Sequence, residues 1–232
     1  MAKSPLFSSP RSARIAEADS VVVIGLGRFG GALALELMAT GTEVLGIDAD
    51  EEIVQSLNGV LTQVVRADTT REEALRQLAV HEFDRAVVAI GSDVQASILT
   101  SSILLSFQIP HVWAKATGEA HGRILEQLGV GHVIYPEAEM GKRVAHLVRG
   151  AALDYIEVDS GYALIKMGPN RVLTGRRLGD TDLRKKHGVT VMAVFREGYE
   201  WCNADADTVV QNGDTILVAG PTKRAEAFGQ LR

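Results

Sequence analysis

Cysteine is almost absent. Cys202 stands alone, which excludes an internal disulfide and any metal site built from several thiolates, and which suits a reducing cytosol. Basic runs are missing as well. With 24 Lys and Arg against 29 Asp and Glu, a formal net charge of -5 and no cluster of basic residues, the chain lacks the surface that coats nucleic acid. Apolar runs such as AVVAIG are strand-sized, far short of the roughly 18 to 20 residues of a membrane helix. Work at a membrane would therefore require a partner that holds the chain there. A Walker-type lysine for phosphoryl transfer is lacking. So are a sizeable substrate domain and any Ser, Tyr, Lys or His arrangement placed for hydride transfer.

What is present suffices for one α/β domain and a smaller second one: 232 residues, 46% of them hydrophobic, fill two packed cores. Residues 1–18, rich in Ser, Pro and Arg, read as a disordered arm rather than a signal peptide. Six apolar segments follow: VVVIGLG, EVLGID, TQVVRAD, RAVVAIG, HVWAKA and HVIYPE. Helix-patterned stretches separate them, among them GALALELMA, DEEIVQSLN, REEALRQLA, QASILTSSILLSFQ and EAHGRILEQLG. Strands alternating with helices predict a parallel, doubly wound sheet over 19–139 whose strand ends share one ligand-binding edge. The stretch MGKRVAHLVRGAALDYI changes the rhythm and predicts a connecting helix over 140–154. Two hairpins, a short helix at DTDLRKKHG, the strand DTILVAG and a terminal helix then predict a small α+β module over 155–232.

The segment VVVIGLGRFGGALALELMATGTEVLGID, residues 21–48, is a dinucleotide fingerprint in its proper context of strand, turn and helix. Gly25, Gly27 and Gly30 permit the tight turn, and the helix start offers unpaired N–H groups to phosphate. Asp48, closing the second strand, suits ribose hydroxyls and disfavours a 2′-phosphate. Arg28 reads either as a solvated side chain or as a guanidinium that forks onto phosphate oxygens. Asp68 reads as a helix N-cap or as a ribose or base contact. Lys115 ends a strand with no obvious internal partner in the sequence and reads as able to reach phosphate. Glu137 requires a cation if it is to lie beside phosphate, or else serves the following helix. His121 is an ordinary first-turn residue or a ligand contact. The nucleotide site expected from these strand ends comprises Gly25, Gly27, Arg28, Phe29, Gly30, Asp48, Ala49, Asp50, Asp68, Thr69, Ile90, Gly91, Ser92, Lys115, Ala116, Thr117, His121 and Glu137.

The segments VIGLGRFGGALALEL, VLGIDADEEIV, VVAIGSDVQASILTSSILL, IPHVWAKATGEAHGRILEQLGVGHVIYPEAEMGKRVA and GDTILVAG together resemble the Ktr/Trk-type cytosolic subunits that regulate potassium conductance. These are the RCK or TrkA-type proteins, and the likeness covers nearly the whole chain. It implies a Rossmann-like domain followed by an RCK C-terminal domain. It also implies a gating ring, by resemblance an octamer, beneath a membrane potassium-translocating subunit. ATP, ADP or NAD(H) would bind, ATP favouring activity and ADP the resting state. By the same resemblance Arg28 contacts phosphates, Asp48 ribose, and Glu137 a divalent cation such as Mg2+ at the ATP phosphates, while Lys115 and His121 line the pocket. Asp68 stands where relatives also carry asparagine. The segment ASILTSSILLSF offers an assembly face or a buried crossover helix. Some relatives bind cyclic di-AMP through the C-terminal module, where this chain has Arg184, with Thr190 in place of a longer amide. A basic helix end followed by glycine accounts for RKKHG equally well. The rival reading from another class is a small NAD(P)-dependent oxidoreductase.

Overall fold

The computed structural model describes residues 20–150 and 152–231; the arm expected over 1–18 lies outside them. The chain divides after Glu137 into two compact units.

The first unit is built on six parallel strands: β1 (Ser20–Ile24), β2 (Glu43–Asp48), β3 (Gln63–Arg66), β4 (Arg85–Val88), β5 (His111–Lys115) and β6 (His132–Ile134). Their order across the sheet is β3-β2-β1-β4-β5-β6, the doubly wound arrangement whose reversal point lies between β1 and β4. Every residue of β1, SVVVI, is buried, as a central strand covered on both faces requires. Helices α1 (Arg28–Ala39), α2 (Glu51–Leu57), α3 (Glu72–Gln77), α4 (Val94–Ser106) and α5 (Glu119–Leu128) connect the strands. The two sheet faces carry separate cores, one around Ile24, Leu45, Phe83 and Leu104 and the other around Val21, Val23, Leu26 and Val44. Helix α4 turns Ser97, Thr100, Ser101 and Leu104 inward and leaves Val94 and Leu99 exposed, so the crossover helix also has an apolar outer face.

Helix α6 spans Pro136–Arg149, whereas the sequence predicted it over 140–154. Proline has no N–H to lose at the first helical position, so the helix starts directly after β6. Residues 152–154 instead open β7 (Ala152–Asp159), which pairs with β8 (Tyr162–Met167). The second unit continues with the short helix α7 (Leu183–Lys186), strands β9 (Thr190–Phe195), β10 (Cys202–Asn203) and β11 (Thr215–Pro221), and helix α8 (Thr222–Gly229). Its sheet runs β10-β9-β11-β8-β7 with antiparallel neighbours. Tyr155, Ile165, Met167, Ile216 and Phe228 belong to its core.

Candidate functional site

Parallel pairing brings the carboxyl ends of all six strands to one edge, and backbone bonds lock the turns there. Gly25 N donates to Ile47 O at 2.8 Å, Ala89 N to Ile24 O at 2.7 Å and Ala116 N to Ile134 O at 2.8 Å. Gly25 has φ +87°, and a Cβ there would stand 2.9 Å from Ile90 N. A Cβ on Gly30 would meet the Gly25 carbonyl oxygen at 1.8 Å. Both positions demand glycine on packing grounds. Gly27 differs, because a Cβ there would meet nothing within 4 Å; its bare backbone opens onto the space in front of α1.

Arg28 is the first residue of α1 and is exposed, with no hydrogen bond or ion pair to a described residue. Its charge reaches Glu137, lowering that carboxyl's pKa as a minor cause. Asp48 ends β2, where its carboxylate accepts from Leu26 N at 2.6 Å and Asp50 N at 2.9 Å. The acid is thereby fixed against the glycine turn with lone pairs to spare for further donors. Asp50 has a local duty as N-cap of α2, accepting from Glu52 N at 2.8 Å. The carbonyl of Ala49 accepts from Arg66 Nε, whose Nη1 also pairs with Glu51.

The remaining strand ends behave unequally. Asp68 does not cap α3, whose N-cap is Arg71. Its Oδ1 accepts from Thr70 N and Thr70 Oγ1, an Asx turn ahead of the helix, so the N-cap reading is corrected. Thr69 is buried and bonds Thr100 across the interior at 2.9 Å. Ala116 is buried in the core, leaving only its backbone at the site edge. Ile90, Gly91 and Ser92 form the turn leading from β4 towards α4, and Thr117 is exposed after β5.

Lys115 and Glu137, 22 residues apart, meet at 2.5 Å. The lysine side chain is 11% exposed and the glutamate 67%. The hydrogen bond from Lys115 holds the Glu137 carboxyl below the ordinary carboxylate range, against a smaller opposing effect of burial. Nζ would also lie 3.0 Å from a Cβ on Gly91, and it stands 5.8 Å from the centre of the Phe29 ring. The ammonium therefore lies among the strand ends rather than out in solvent. Among the described residues no group of three or more His, Cys, Asp or Glu is assembled to hold a metal ion. Glu137 offers one carboxylate, which fits a Mg2+-like ion only if phosphate oxygens supply further ligands.

His121, in the first turn of α5, is 5% exposed. Its Nδ1 lies 3.3 Å from both Thr117 N and Thr117 Oγ1. A backbone N–H can only donate, so Nδ1 is the unprotonated nitrogen and Nε2 carries the hydrogen. Nε2 is buried without a partner among the described residues, and burial lowers the imidazole pKa. Sequence reasoning missed the neighbouring contact, in which the Tyr135 hydroxyl occupies the place of a Gly122 side chain. Its signal is a glycine inside the helical stretch EAHGRILE. In the second unit, Arg184 Nε donates to Thr190 Oγ1 at 3.1 Å. Both line a groove of about 770 Å³ together with Lys185, Met192 and Asn203. Gly188 closes α7 with φ +68°, as the glycine C-cap reading requires.

The TrkA-N domain family matches residues 21–136 and the TrkA-C domain family residues 162–231. Over 207 residues the chain is 36% identical to the Ktr system potassium uptake protein C of Bacillus subtilis (strain 168), covering 89% of this chain and 94% of that one. The solved GsuK RCK domain shares the fold at a TM-score of 0.66 and 15% identity, over 99% of this chain and 50% of that one. The GsuK channel bound to NAD does so at a TM-score of 0.62 and 15% identity, over 90% of this chain and 38% of that one.

Proposed function

The chain belongs to the TrkA family, with a TrkA-N and a TrkA-C domain, and from that premise we propose that it is a nucleotide-sensing regulatory subunit of a potassium uptake system. The observation that carries this reading is the open Gly27 backbone at the start of α1, with Arg28, unpaired among the described residues, beside it and Asp48 fixed against the glycine turn. Helix start and guanidinium suit a terminal phosphate, and the acid suits ribose. ATP and ADP are the proposed ligands; NAD(H) is a further candidate, because the GsuK channel has been solved bound to NAD. In the ATP form Glu137 would share a Mg2+-like ion with the phosphates, the ion neutralising charge between them. Residues 19–139 would be the sensor and 155–232 the RCK C-terminal domain.

ATP and ADP act, in this reading, by binding two shapes of the assembly unequally, which shifts their populations. The assembly is a ring, an octamer by resemblance, and exposed Leu99 on α4 with Ile124 and Leu128 on α5 supplies apolar surface for it. Among the described residues no helix is long and apolar enough to cross a membrane. A membrane potassium-translocating partner would place the ring at the cytoplasmic face. The groove beside Arg184 has the volume of a small-molecule site and carries the proposal of cyclic di-AMP as a second ligand. The oxidoreductase reading gives way to a regulatory one, because the chain is 36% identical to a Ktr system potassium uptake protein.

Calorimetric titration with ATP, ADP and NADH, with and without Mg2+, alongside light scattering, tests the proposal. Saturable binding by a closed oligomer is expected. A monomer that binds no nucleotide, or nicotinamide turnover with a small substrate, would overturn it. Dialysis against labelled cyclic di-AMP tests the second ligand: saturable binding lost in Arg184→Ala supports it, and no binding at tens of micromolar removes it.

A further inference from the structure

We propose that the Lys115–Glu137 ion pair is a latch that nucleotide phosphate opens, releasing the first turn of α6; this rests on the nucleotide reading above. Lys115 is the one buried lysine or arginine among the described residues. Its ammonium lies against Gly91 and near the Phe29 ring, between the β4 turn and the glycine turn, where phosphate would arrive. A charge so placed needs a counter-ion. Glu137 provides it at 2.5 Å.

Phosphate at the start of α1 changes the balance. It brings more than one negative charge and several acceptor oxygens, so it satisfies the three donors of an ammonium better than one carboxylate oxygen does. It also repels Glu137, whose carboxyl already responds to Arg28 and therefore stands within electrostatic range of the phosphate position. Lys115 exchanges one counter-ion for the other.

The consequence falls on α6. Glu137 is its second residue, the chain divides into its two units directly after it, and no residue of α6 is buried. With so little packing, this ion pair is a principal tether of the first turn. Opening it loosens the segment through which the chain passes from one unit to the other. A divalent ion would recapture the freed carboxylate at the phosphates, so the same residue opposes nucleotide without the ion and assists it with the ion.

The test compares ADP affinity in EDTA for the full chain and for Lys115→Gln, Glu137→Gln and the double variant. Hydrogen exchange is read at the amides of Met140–Arg143, which bond back to the first turn of the helix. Glu137→Gln should bind ADP about threefold to fivefold more tightly, the range of a partly exposed ion pair. In the Lys115→Gln background that gain should shrink towards none, and Lys115→Arg, which keeps the pair, should restore it. ADP should speed exchange at Met140–Arg143 in the unmodified chain, and Glu137→Gln should exchange fast without ADP. Equal gains in both backgrounds would reduce the effect to simple repulsion and overturn the latch, as would α6 exchange indifferent to ADP. Equal ADP affinity in the unmodified chain and Glu137→Gln sinks the latch alone. Failure of the unmodified chain to bind any nucleotide sinks the latch and the site reading together.

Discussion

In the antiparallel unit Arg196 grips Asp214 with Nε at 2.7 Å and Nη2 at 2.8 Å, Gln211 N adds a third bond, and the aspartate side chain is only 1% exposed. Arg143 holds Asp154 in the same two-toothed way, and His146 pairs with Glu226. At the strand ends of the parallel unit the pattern reverses. Arg28 has no ion-pair partner among the described residues, the helix start beyond Gly27 is open, and Lys115 is held by a carboxylate that is itself mostly in solvent. Charges closed on each other build structure, while charges left open are available to a ligand. The family match alone does not distinguish the two sets; their partners do.

The strongest way to break this contrast is Gly30→Ala, because the new methyl would sit 1.8 Å from the Gly25 carbonyl oxygen. The turn must open. A loss of about 3 kcal/mol in stability of the parallel unit is expected from such overpacking, together with loss of measurable nucleotide binding. Urea unfolding and calorimetry would register both. Retained ADP affinity would place the nucleotide away from this turn.

Arg196→Ala tests the other side. It leaves the buried Asp214 carboxylate with only the Gln211 amide as donor, so the antiparallel unit should lose stability in urea unfolding, while ADP affinity stays unchanged. The hydrogen bond from Arg196 holds the Asp214 carboxyl below its ordinary range. A depressed carboxyl stabilises fully above its unfolded value, about 4, and that contribution is lost as pH falls towards the folded value. The variant should therefore show a flatter acid limb in thermal melts followed from pH 6 down to pH 2. An unaltered limb would show that the pair contributes nothing to acid unfolding.

Arg28→Ala inverts that expectation. Nucleotide affinity should fall by about 1 to 3 kcal/mol, the range for a charged hydrogen bond, with stability unchanged because the side chain is exposed at the first position of α1. Equal calorimetric titrations of the two proteins would remove Arg28 from the site.

The sequence made the parallel unit legible because its rules are local: apolar runs end in glycine or polar residues, and the fingerprint is contiguous over residues 21–48. What it hid depends on distance or on small geometric choices. The Lys115–Glu137 pair joins residues 22 apart, and no periodicity announces it. Asp68 sits one turn too early to cap α3, a difference of three residues between an Asx turn and an N-cap. Helix α6 starts four residues before the predicted residue 140, where the strand–helix rhythm changes, because Pro136 already satisfies the geometry of a first turn.

The smallest effect sharpens the contrast within one residue, His121, which is buried like the structural set yet has a free nitrogen like the ligand set. Burial depresses its pKa, so the unfolded chain takes up a proton at higher pH than the folded one does. The sign follows from that difference: stability is undiminished above the unfolded value of about 6.5 and declines as pH falls below it towards the folded value. Protonation would also place a hydrogen on Nδ1, where Thr117 N donates now at 3.3 Å, so the turn leading into α5 loses its acceptor. His121→Gln keeps an acceptor of similar reach and no titration. Melts between pH 8 and pH 5 should therefore show a shallower decline in the variant, while ADP affinity at pH 8 separates the two roles. Unchanged affinity assigns His121 to the turn, and a fall of several-fold assigns the buried Nε2–H to the nucleotide.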